Sequence, residues 1–222
     1  MHTSLENLNS VKNKVNELID KKQLKTNPKI IVVSKTFPLD KILPLLEHGH
    51  EHFGENKIQE VESKWNDIRK NNNKIKLHMI GSLQSNKAKK AVQLFDYIHS
   101  LDNKKLAIKI AESQKILKKK IKLFIQVNFA NEKQKSGIPL QELNDFYYFC
   151  NNELSLNIIG LMCFPPFNTD PAKYFIAAKK LTFDLNLKEL SMGMSTDYEQ
   201  AVINGSTFLR IGTTILGKRI IT

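Results

Sequence analysis

Lys35 is the residue of this sequence best suited to covalent chemistry. It follows the apolar run IIVV at 30–33, with only Ser34 between them. An amine at the rim of an apolar structure is partly desolvated, which lowers its pKa and makes it a better nucleophile toward an aldehyde. The alternative interpretation is an ordinary surface lysine in the loop after a strand. Which of the two holds depends on the residues that the fold brings to Lys35.

Two segments near the end of the sequence combine glycine with hydroxyl side chains, a composition suited to binding a phosphate group. RIGT at 210–213 ends the last apolar run, and SMGMS at 191–195 ends the run before it. Glycine at Gly212 would let the backbone approach an anion closely, and the hydroxyls of Ser195 and Thr213 would add donors. Such residues also form ordinary turns, so these segments alone leave both interpretations open.

Short β-branched runs alternate with longer segments of helical period along the whole chain. The alternation predicts eight strands, at 30–34, 52–55, 77–81, 97–101, 123–129, 158–164, 190–192 and 208–211. Helices are predicted near 39–47, 57–70, 84–94, 103–118, 139–151, 171–186 and 196–204. Asp102, Pro139 and Asp170-Pro171 are helix-start signals among them.

Parallel strands that are covered on both faces read as continuous apolar runs, and eight of them with intervening helices close most naturally into a barrel. We therefore predict an α/β fold, a single-domain (β/α)8 TIM-like barrel over residues 1–222, with a doubly wound open sheet as the alternative. The amphipathic segment 5–25 predicts an extra N-terminal helix on the outer wall, although a helix on a membrane surface has the same pattern. Active sites of such barrels lie at the C-terminal ends of the strands, where Lys35 and RIGT would both be found.

The composition restricts the classes of function. The net charge of +12 is nearly all lysine, since Arg69, Arg210 and Arg219 are the only arginines, and readers of nucleic acid favour arginine. We therefore expect no nucleic-acid partner. Cys150 and Cys163 cannot form a disulfide framework, and the sequence has neither a signal-peptide pattern nor a membrane-spanning run. These features predict a cytoplasmic protein with no membrane partner.

Longer segments match a known family in order and spacing. They are VVSKT at 32–36, HFGENKIQE at 52–60, HMIGSLQSNK at 78–87, HSLD at 99–102, KSG at 135–137, GLM at 160–162, SMGMS at 191–195 and GSTFLRIGTTILG at 205–217. Along nearly its whole length the chain resembles the YggS/PROSC family of homeostasis proteins that bind pyridoxal 5′-phosphate (PLP). The barrel of that family is similar to the N-terminal domain of alanine racemase, the PLP fold type III barrel, here without the C-terminal β domain.

The resemblance implies roles for the residues singled out above. Lys35 is expected to hold PLP as a Schiff base, an internal aldimine. Ser195, Gly212 and Thr213 are expected to bind the phosphate. Arg210 is expected to face the pyridine nitrogen.

The resemblance extends to two further positions and departs at others. Asn56 matches a pocket position near the cofactor, and Lys135 matches a second family lysine at the barrel mouth, where a part in passing on the aldehyde is a hypothesis. Thr196 and Gln134 differ from the residues usual after SMGMS and before KSG, which puts loop details in doubt. Cys163-Phe164 replaces the usual Thr-Ile after GLM and is expected to reshape a pocket wall.

The implied function is that of a carrier in intracellular PLP homeostasis and delivery. An arginine at the pyridine nitrogen keeps that nitrogen unprotonated and weakens the ring as an electron sink. The chain ends at Thr222, too early for the second domain that closes the racemase site, so no turnover is expected. We expect a monomer that docks transiently on apo PLP enzymes. The alternatives are a low-activity amino acid racemase, with Tyr198 or a pocket lysine as second base, and a scaffold that has lost PLP.

Other polar residues are not assigned to chemistry. His50 and His52 have a spacing that metals can use, but the sequence offers no third ligand. His78 and His99 read as ordinary core or rim histidines. Glu51, Glu55 and Glu60 could suggest paired carboxylates, but they lie on one strand and the helix start after it, and none of them is assigned to catalysis.

Overall fold

The computed structural model describes residues 3–129, 136–166 and 168–218. Its strands are β1 (Lys29–Val33), β2 (His52–Glu55), β3 (Lys76–Met79), β4 (Tyr97–Leu101), β5 (Lys122–Asn128), β6 (Ile138–Pro139), β7 (Ile158–Cys163), β8 (Glu189–Ser191) and β9 (Phe208–Ile211). Its α-helices are α1 (Thr3–Lys22), α2 (Leu43–Glu47), α3 (Ile58–Asn71), α4 (Ala88–Leu94), α5 (Lys104–Leu117), α6 (Leu143–Tyr148), α7 (Ala172–Asp184), α8 (Tyr198–Ile203) and α9 (Thr213–Leu216).

The strands other than β6 form a closed parallel barrel. Each pairs with the next in the order β1, β2, β3, β4, β5, β7, β8, β9, and β9 returns to β1. The β4–β5 pair places Ile98 opposite Leu123, and the β9–β1 pair places Arg210 opposite Ile31. An open doubly wound sheet would have two unpaired edges in place of these contacts. The predicted barrel is therefore confirmed, and the open-sheet alternative is wrong.

Strand β6 is not indicated by the sequence pattern. It pairs with β5 at Val127 and Asn128, beyond the point where β4 last pairs, at Leu101. The predicted helix at 139–151 therefore begins later than expected. Pro139 belongs to β6, and the segment continues as a 3₁₀ turn at Leu140–Glu142, then α6 and a π-helical turn at Phe149–Glu153.

The start of α5 also differs from its prediction. Asn103, and not Asp102, is the N-cap residue, because its side chain accepts a hydrogen bond from the backbone N–H of Leu106 at 2.8 Å. Asp102 instead accepts a hydrogen bond from Asn103 Nδ2. At α7 the predicted start is confirmed, with Pro171 as N-cap and Asp170 accepting from the N–H of Ala172 at 3.0 Å.

Hydrophobic residues fill the space inside the barrel and the space around it. The interior cluster consists of Ile31, Tyr97, Phe124, Met162 and Phe208. A larger cluster joins the outer face of the barrel to the helices. Such a filled interior is a packed core, so ligands bind at the mouth formed by the loops after the strands.

Helix α1 packs on the outside of the barrel, as predicted. It lies against α8 and α9 and buries Leu5, Leu8, Val11 and Val15. Asn7 Nδ2 donates a hydrogen bond to the backbone oxygen of Ile215 at 3.1 Å, which ties α1 to α9. None of the helices in the described part of the chain combines the length and the apolar character needed to cross a lipid bilayer.

Candidate functional site

The barrel register brings Lys35 and the RIGT segment to neighbouring strand ends. Strand β1 pairs with β9 through Val32 and Ile211, and half-buried Lys35 follows two residues after β1 ends. Gly212 directly follows β9, and a Cβ built on it would lie 3.3 Å from the Cβ of Val33. The absence of a side chain at Gly212 therefore allows the two strand ends to lie close together.

A buried carboxylate supports the strand end that carries Lys35. Glu55, the last residue of β2, is fully buried. Its Oε1 accepts hydrogen bonds from Ser34 Oγ at 2.8 Å, Trp65 Nε1 at 2.9 Å and Lys64 Nζ at 3.0 Å. Burial raises the pKa of the Glu55 carboxyl, and the charge of Lys64 opposes that rise. The ion pair and two neutral donors together stabilise a carboxylate in the interior.

Lys64 also holds the turn around Lys35. Its Nζ donates to the backbone oxygen of Ser34 and to Glu60 Oε1, both at 2.9 Å. Glu60 Oε1 in turn accepts the backbone N–H of Thr36, a residue held at φ +66°. Lys35 is therefore flanked by two residues whose backbones are fixed from helix α3.

Asn56 lies at the same end of the barrel, directly after β2. A Cβ at Gly81 would lie 2.7 Å from the backbone oxygen of Asn56, so glycine allows the loops after β2 and β3 to touch. Asn56 Oδ1 is buried and has no hydrogen-bond partner among the described residues. A cavity of about 610 Å³ opens here, lined also by Ser82 and Gln84. A buried acceptor without a partner beside a cavity is suited to a bound polar ligand.

The turn after β8 depends on Gly193. Its φ of +91° lies in the region that side chains disfavour, and a Cβ there would meet the Cβ of Ala201 at 2.5 Å. Asp197 Oδ1 accepts the N–H of Met194 at 2.5 Å and closes the turn. The next residue, Ser195, accepts the N–H of Thr214 at 3.2 Å on Oγ. The hydroxyl-bearing loops after β8 and β9 are therefore joined.

Arg210 lies in β9 and points into the barrel. Its Nη1 donates to Ser191 Oγ at 2.7 Å and its Nη2 to the backbone oxygen of Cys163 at 3.0 Å. The ring of Phe164 lies 4.5 Å from the guanidinium carbon, a cation–π contact, so the Cys163-Phe164 departure does form part of this wall. Burial lowers the pKa of Arg210 to about 10, with the charge of Asp197 opposing this shift. Its Nε is buried without a partner among the described residues.

A line of histidines continues inward from Arg210. His99 Nδ1 lies 2.9 Å from Ser191 Oγ, His99 Nε2 lies 2.9 Å from His78 Nδ1, and His78 Nε2 lies 2.9 Å from His52 Nδ1. From the sequence, His78 and His99 read as ordinary core or rim histidines, and His52 shares with His50 a spacing that metals can use. His52, His78 and His99 lie on the successive strands β2, β3 and β4, and this is the feature of the sequence that could have predicted their contact with one another. Across the described residues no group of His, Cys, Asp or Glu could hold a metal ion.

The structure brings most of the predicted site residues to one end of the barrel. Lys35, Asn56, Ser195, Gly212 and Thr213 all follow the C-terminal ends of strands, with Thr213 exposed in the first turn of α9. Arg210 is the exception, since it lies within a strand. The second family lysine, at position 135, and the departure at position 134 lie outside the described residues.

Sequence reasoning missed the support beneath this end of the barrel. The contacts of Lys64 and Glu55 join residues on different elements. Lys64 appears in the sequence as one lysine among many on a helix, so no local pattern indicated its role.

The chain is similar to known proteins over most of its length. The family model described as "Alanine racemase, N-terminal domain" matches residues 7–219. The pyridoxal phosphate homeostasis protein of Pasteurella multocida is 36% identical over 201 residues, 86% of each chain. That of Vibrio cholerae is 35% identical, covering 88% of this chain and 87% of its own.

Solved structures have the same fold. PipY of Synechococcus elongatus with PLP bound is 32% identical with a TM-score of 0.80, covering 91% of this chain and all of PipY. An alanine racemase of Clostridium difficile, at 14% identity and a TM-score of 0.72, matches 96% of this chain and 56% of its own, a likeness of fold alone. From the family model and these relatives, the chain belongs to the alanine racemase N-terminal domain family and, within it, to the pyridoxal phosphate homeostasis proteins.

Proposed function

We propose that this chain binds PLP covalently through Lys35, with the phosphate held by Ser195, Gly212 and Thr213. The observation that carries the proposal is the barrel register, which places the ends of β1, β8 and β9 side by side. The hydrogen bond between Ser195 and Thr214 supports a shared anion-binding surface between two of these loops. The PLP-bound structure of PipY supports PLP as the ligand.

The cofactor supplies an aldehyde, which condenses with the neutral amine of Lys35 to form a C=N bond as one water leaves. Addition of water or another amine reverses the bond, so the protein can both hold and release the aldehyde. The contacts of Lys64 and Glu60 contribute by fixing the backbone on both sides of Lys35. Asn56 Oδ1, a buried acceptor, provides a polar contact for the ring substituents.

Arg210 is proposed to face the pyridine nitrogen with the part of its guanidinium that has no partner among the described residues. Its pKa of about 10 leaves it positively charged at neutral pH. A permanent cation there keeps the pyridine nitrogen unprotonated and weakens the electron withdrawal on which most PLP enzymes depend. Arg210 therefore favours a binding role over catalysis of reactions that pass through a carbanion.

A carrier that delivers PLP to apo-enzymes, without turnover of its own, is the function that fits best. The curated relatives are named as homeostasis proteins. The racemase alternative requires a second base, either a pocket lysine or Tyr198. That side chain packs against the hydrophobic core, and burial raises its pKa, so the phenolate form is disfavoured.

Reduction with borohydride tests the covalent link. Protein incubated with PLP should turn yellow, and reduction followed by peptide mass mapping should place the adduct on Lys35. Lys35→Ala should lose both the absorbance and the adduct. Lys57→Ala, which removes an exposed amine next to Asn56, is the matched control and should keep both. An adduct trapped on any lysine in the Lys35→Ala variant, Lys135 included, would mean that another amine holds the cofactor.

Incubation with L-alanine tests the absence of turnover. The PLP-loaded protein should release PLP to added amine or to an apo-enzyme without forming D-alanine at the rates of ordinary enzymes, about 1–10³ s⁻¹. Formation of the D-isomer at such a rate would establish the racemase alternative and remove the carrier proposal.

A further inference from the structure

Four side chains connect Arg210 to the opposite end of the barrel interior. Ser191, His99, His78 and His52 stand in an unbroken line, with neighbouring polar atoms 2.7–2.9 Å apart along its whole length. Ser191, His99 and His78 are fully buried, and His52 is half-buried at the start of β2. Both ring nitrogens of His78 and of His99 are used within the line.

The chemistry of Arg210 gives this line a direction. A guanidinium can only donate, so Ser191 Oγ accepts from Arg210 Nη1. A hydroxyl has one proton, and the only other partner of Ser191 Oγ in the described chain is His99 Nδ1. Ser191 therefore donates to Nδ1, which leaves the proton of His99 on Nε2.

The same direction passes to the next two rings. His99 Nε2–H donates to His78 Nδ1, so His78 also carries its proton on Nε2 and donates to His52 Nδ1. The opposite direction would give Ser191 Oγ two donors and leave its own proton buried without an acceptor. It would also point an N–H of His99 toward the positive charge of Arg210.

The surroundings keep these rings neutral and in place. The ring of His78 stacks on Tyr97 and that of His99 on Phe124, each at 4.2 Å between centroids. Burial lowers the pKa of His78 and His99 well below the usual range, and that of His52 to about 4. The charge of Arg210 adds to the lowering at His99. A neutral imidazole that donates at one nitrogen and accepts at the other is the form that such a line requires.

We propose that Ser191 and His99 are positioning residues for Arg210, and that the line from Arg210 to His52 is a directional relay with every histidine in the Nε2–H form. The relay supplies one of the two side-chain hydrogen bonds that Arg210 makes within the described part of the chain, and it leaves the buried Nε–H and the other guanidinium N–H groups for a ligand. The use of those groups by the pyridine nitrogen rests on the proposed function. The direction of the relay does not.

Nuclear magnetic resonance of the ring nitrogens in cofactor-free protein tests the relay directly. Long-range ¹H–¹⁵N correlations should report the Nε2–H tautomer for His52, His78 and His99 at neutral pH. His99 or His78 found as the Nδ1–H tautomer or as an imidazolium would overturn the direction. Because this measurement uses no PLP, it decides the relay even if the protein proves not to bind the cofactor.

Ser191→Ala tests the positioning of Arg210. Loss of a hydrogen bond to a charged group should weaken PLP binding about tenfold, equivalent to about 1.4 kcal/mol, and should shift the absorbance of the bound cofactor. It should also change the ring-nitrogen shifts of His99 and, through the relay, of His78.

Ser206→Ala is the matched control, because Ser206 is an equally buried serine whose hydroxyl, within the described chain, contacts backbone oxygens near β8 and β9 and no side chain. It should leave the affinity and the histidine signals as they are in the parent protein. Equal PLP affinity and spectrum in Ser191→Ala and parent would overturn the positioning role. Failure of the parent protein itself to bind PLP would instead refute the proposed function.

Discussion

At the scale of single residues, Glu55 carries a carboxylate in the protein interior, where its charge requires compensation from neighbouring groups. It has no exposed surface, and its Oε2 has no hydrogen-bond partner among the described residues. Lys64, with only 9% of its side chain exposed, supplies the compensating charge. A buried ion pair often adds little net stability over apolar residues of the same shape, but removal of one partner leaves an uncompensated charge. Lys64 therefore has a larger effect on folding than its place among the helix lysines indicates.

Lys64→Met should lower the free energy of unfolding at neutral pH by about 3–5 kcal/mol. Chemical denaturation measures the change. Lys70→Met is the matched control, since Lys70 pairs with Asp67 on the same helix in an exposed ion pair and should leave the stability almost unchanged. Equal effects of the two substitutions would show that Lys64 does not compensate the buried charge of Glu55 as described.

The effect of Lys64→Met should depend on pH with a defined sign. Burial already raises the folded-state pKa of Glu55, and loss of Lys64 removes the charge that opposes the rise. The folded variant then binds a proton more tightly than the unfolded chain, for which the pKa is about 4.3. The contribution of Glu55 to the stability of the variant should be greatest below that value and should fall as pH rises toward the shifted pKa. Denaturation curves between acid and neutral pH would detect a variant whose stability instead rises with pH.

Single residues could be assigned from the sequence only where their place next to an apolar run indicated where they lie in the fold. The position of Lys35, Gly212 and Thr213 at one end of the barrel could be predicted because each follows a buried apolar run, and the ends of parallel barrel strands meet at one mouth. Lys64 and His99 could not be assigned in this way. Their contacts join different strands and helices, so only the folded register brings their partners together.

At the scale of elements, the turn after β8 connects the loops proposed to bind the phosphate to the barrel interior. Gly193 O accepts the N–H of Arg210 at 2.9 Å, and Ser195 follows two residues later. The turn therefore sets the position of a proposed phosphate ligand and of the strand that carries Arg210.

Gly193→Ala should displace both the loop that carries Ser195 and the strand that carries Arg210. A side chain at positive φ costs about 1–2 kcal/mol, and the contact with Ala201 adds a packing cost of about 1–3 kcal/mol. Gly49→Ala is the matched control, because Gly49 has φ +76° and open space around its Cβ position. It should incur the conformational cost alone. Thermal unfolding and PLP titration of both variants would refute this account if Gly49→Ala lost as much stability and affinity as Gly193→Ala.

Prediction of secondary structure from the sequence succeeded for the barrel strands, where a single feature, the continuous apolar run, marks each element. The barrel strands are buried on both faces, so continuous apolar runs located them to within a few residues. Strand β6 was not predicted, because two residues are too few to form a hydrophobic pattern. Pro139, which was interpreted as a helix start, is instead the last residue of β6. The cap of α5 was misplaced by one residue because Asp102 and Asn103 are both good N-cap residues.

At the scale of the whole molecule, barrel closure decides how the site is assembled. The number of strands favoured a closed barrel over an open sheet, but no local pattern indicates the β9–β1 contact between the first and last strands that closes it. That contact also brings the strand end that carries Lys35 beside the RIGT segment. A ligand that binds across it connects the first strand to the last and should stabilise the whole fold.

PLP should therefore raise the melting temperature of the intact protein. A ligand at 100 times its Kd adds about 2.7 kcal/mol, which for a chain of this size corresponds to a rise of about 5–10 °C. Pyridoxal, which has the aldehyde without the phosphate, and pyridoxine phosphate, which has the phosphate without the aldehyde, should each give a smaller rise at the same concentration. In Lys35→Ala, PLP should stabilise no more than pyridoxine phosphate does, because only the proposed noncovalent contacts, which pyridoxine phosphate would make as well, remain to hold it. A full rise with PLP in that variant would show that the covalent bond contributes nothing to binding across the β1–β9 contact.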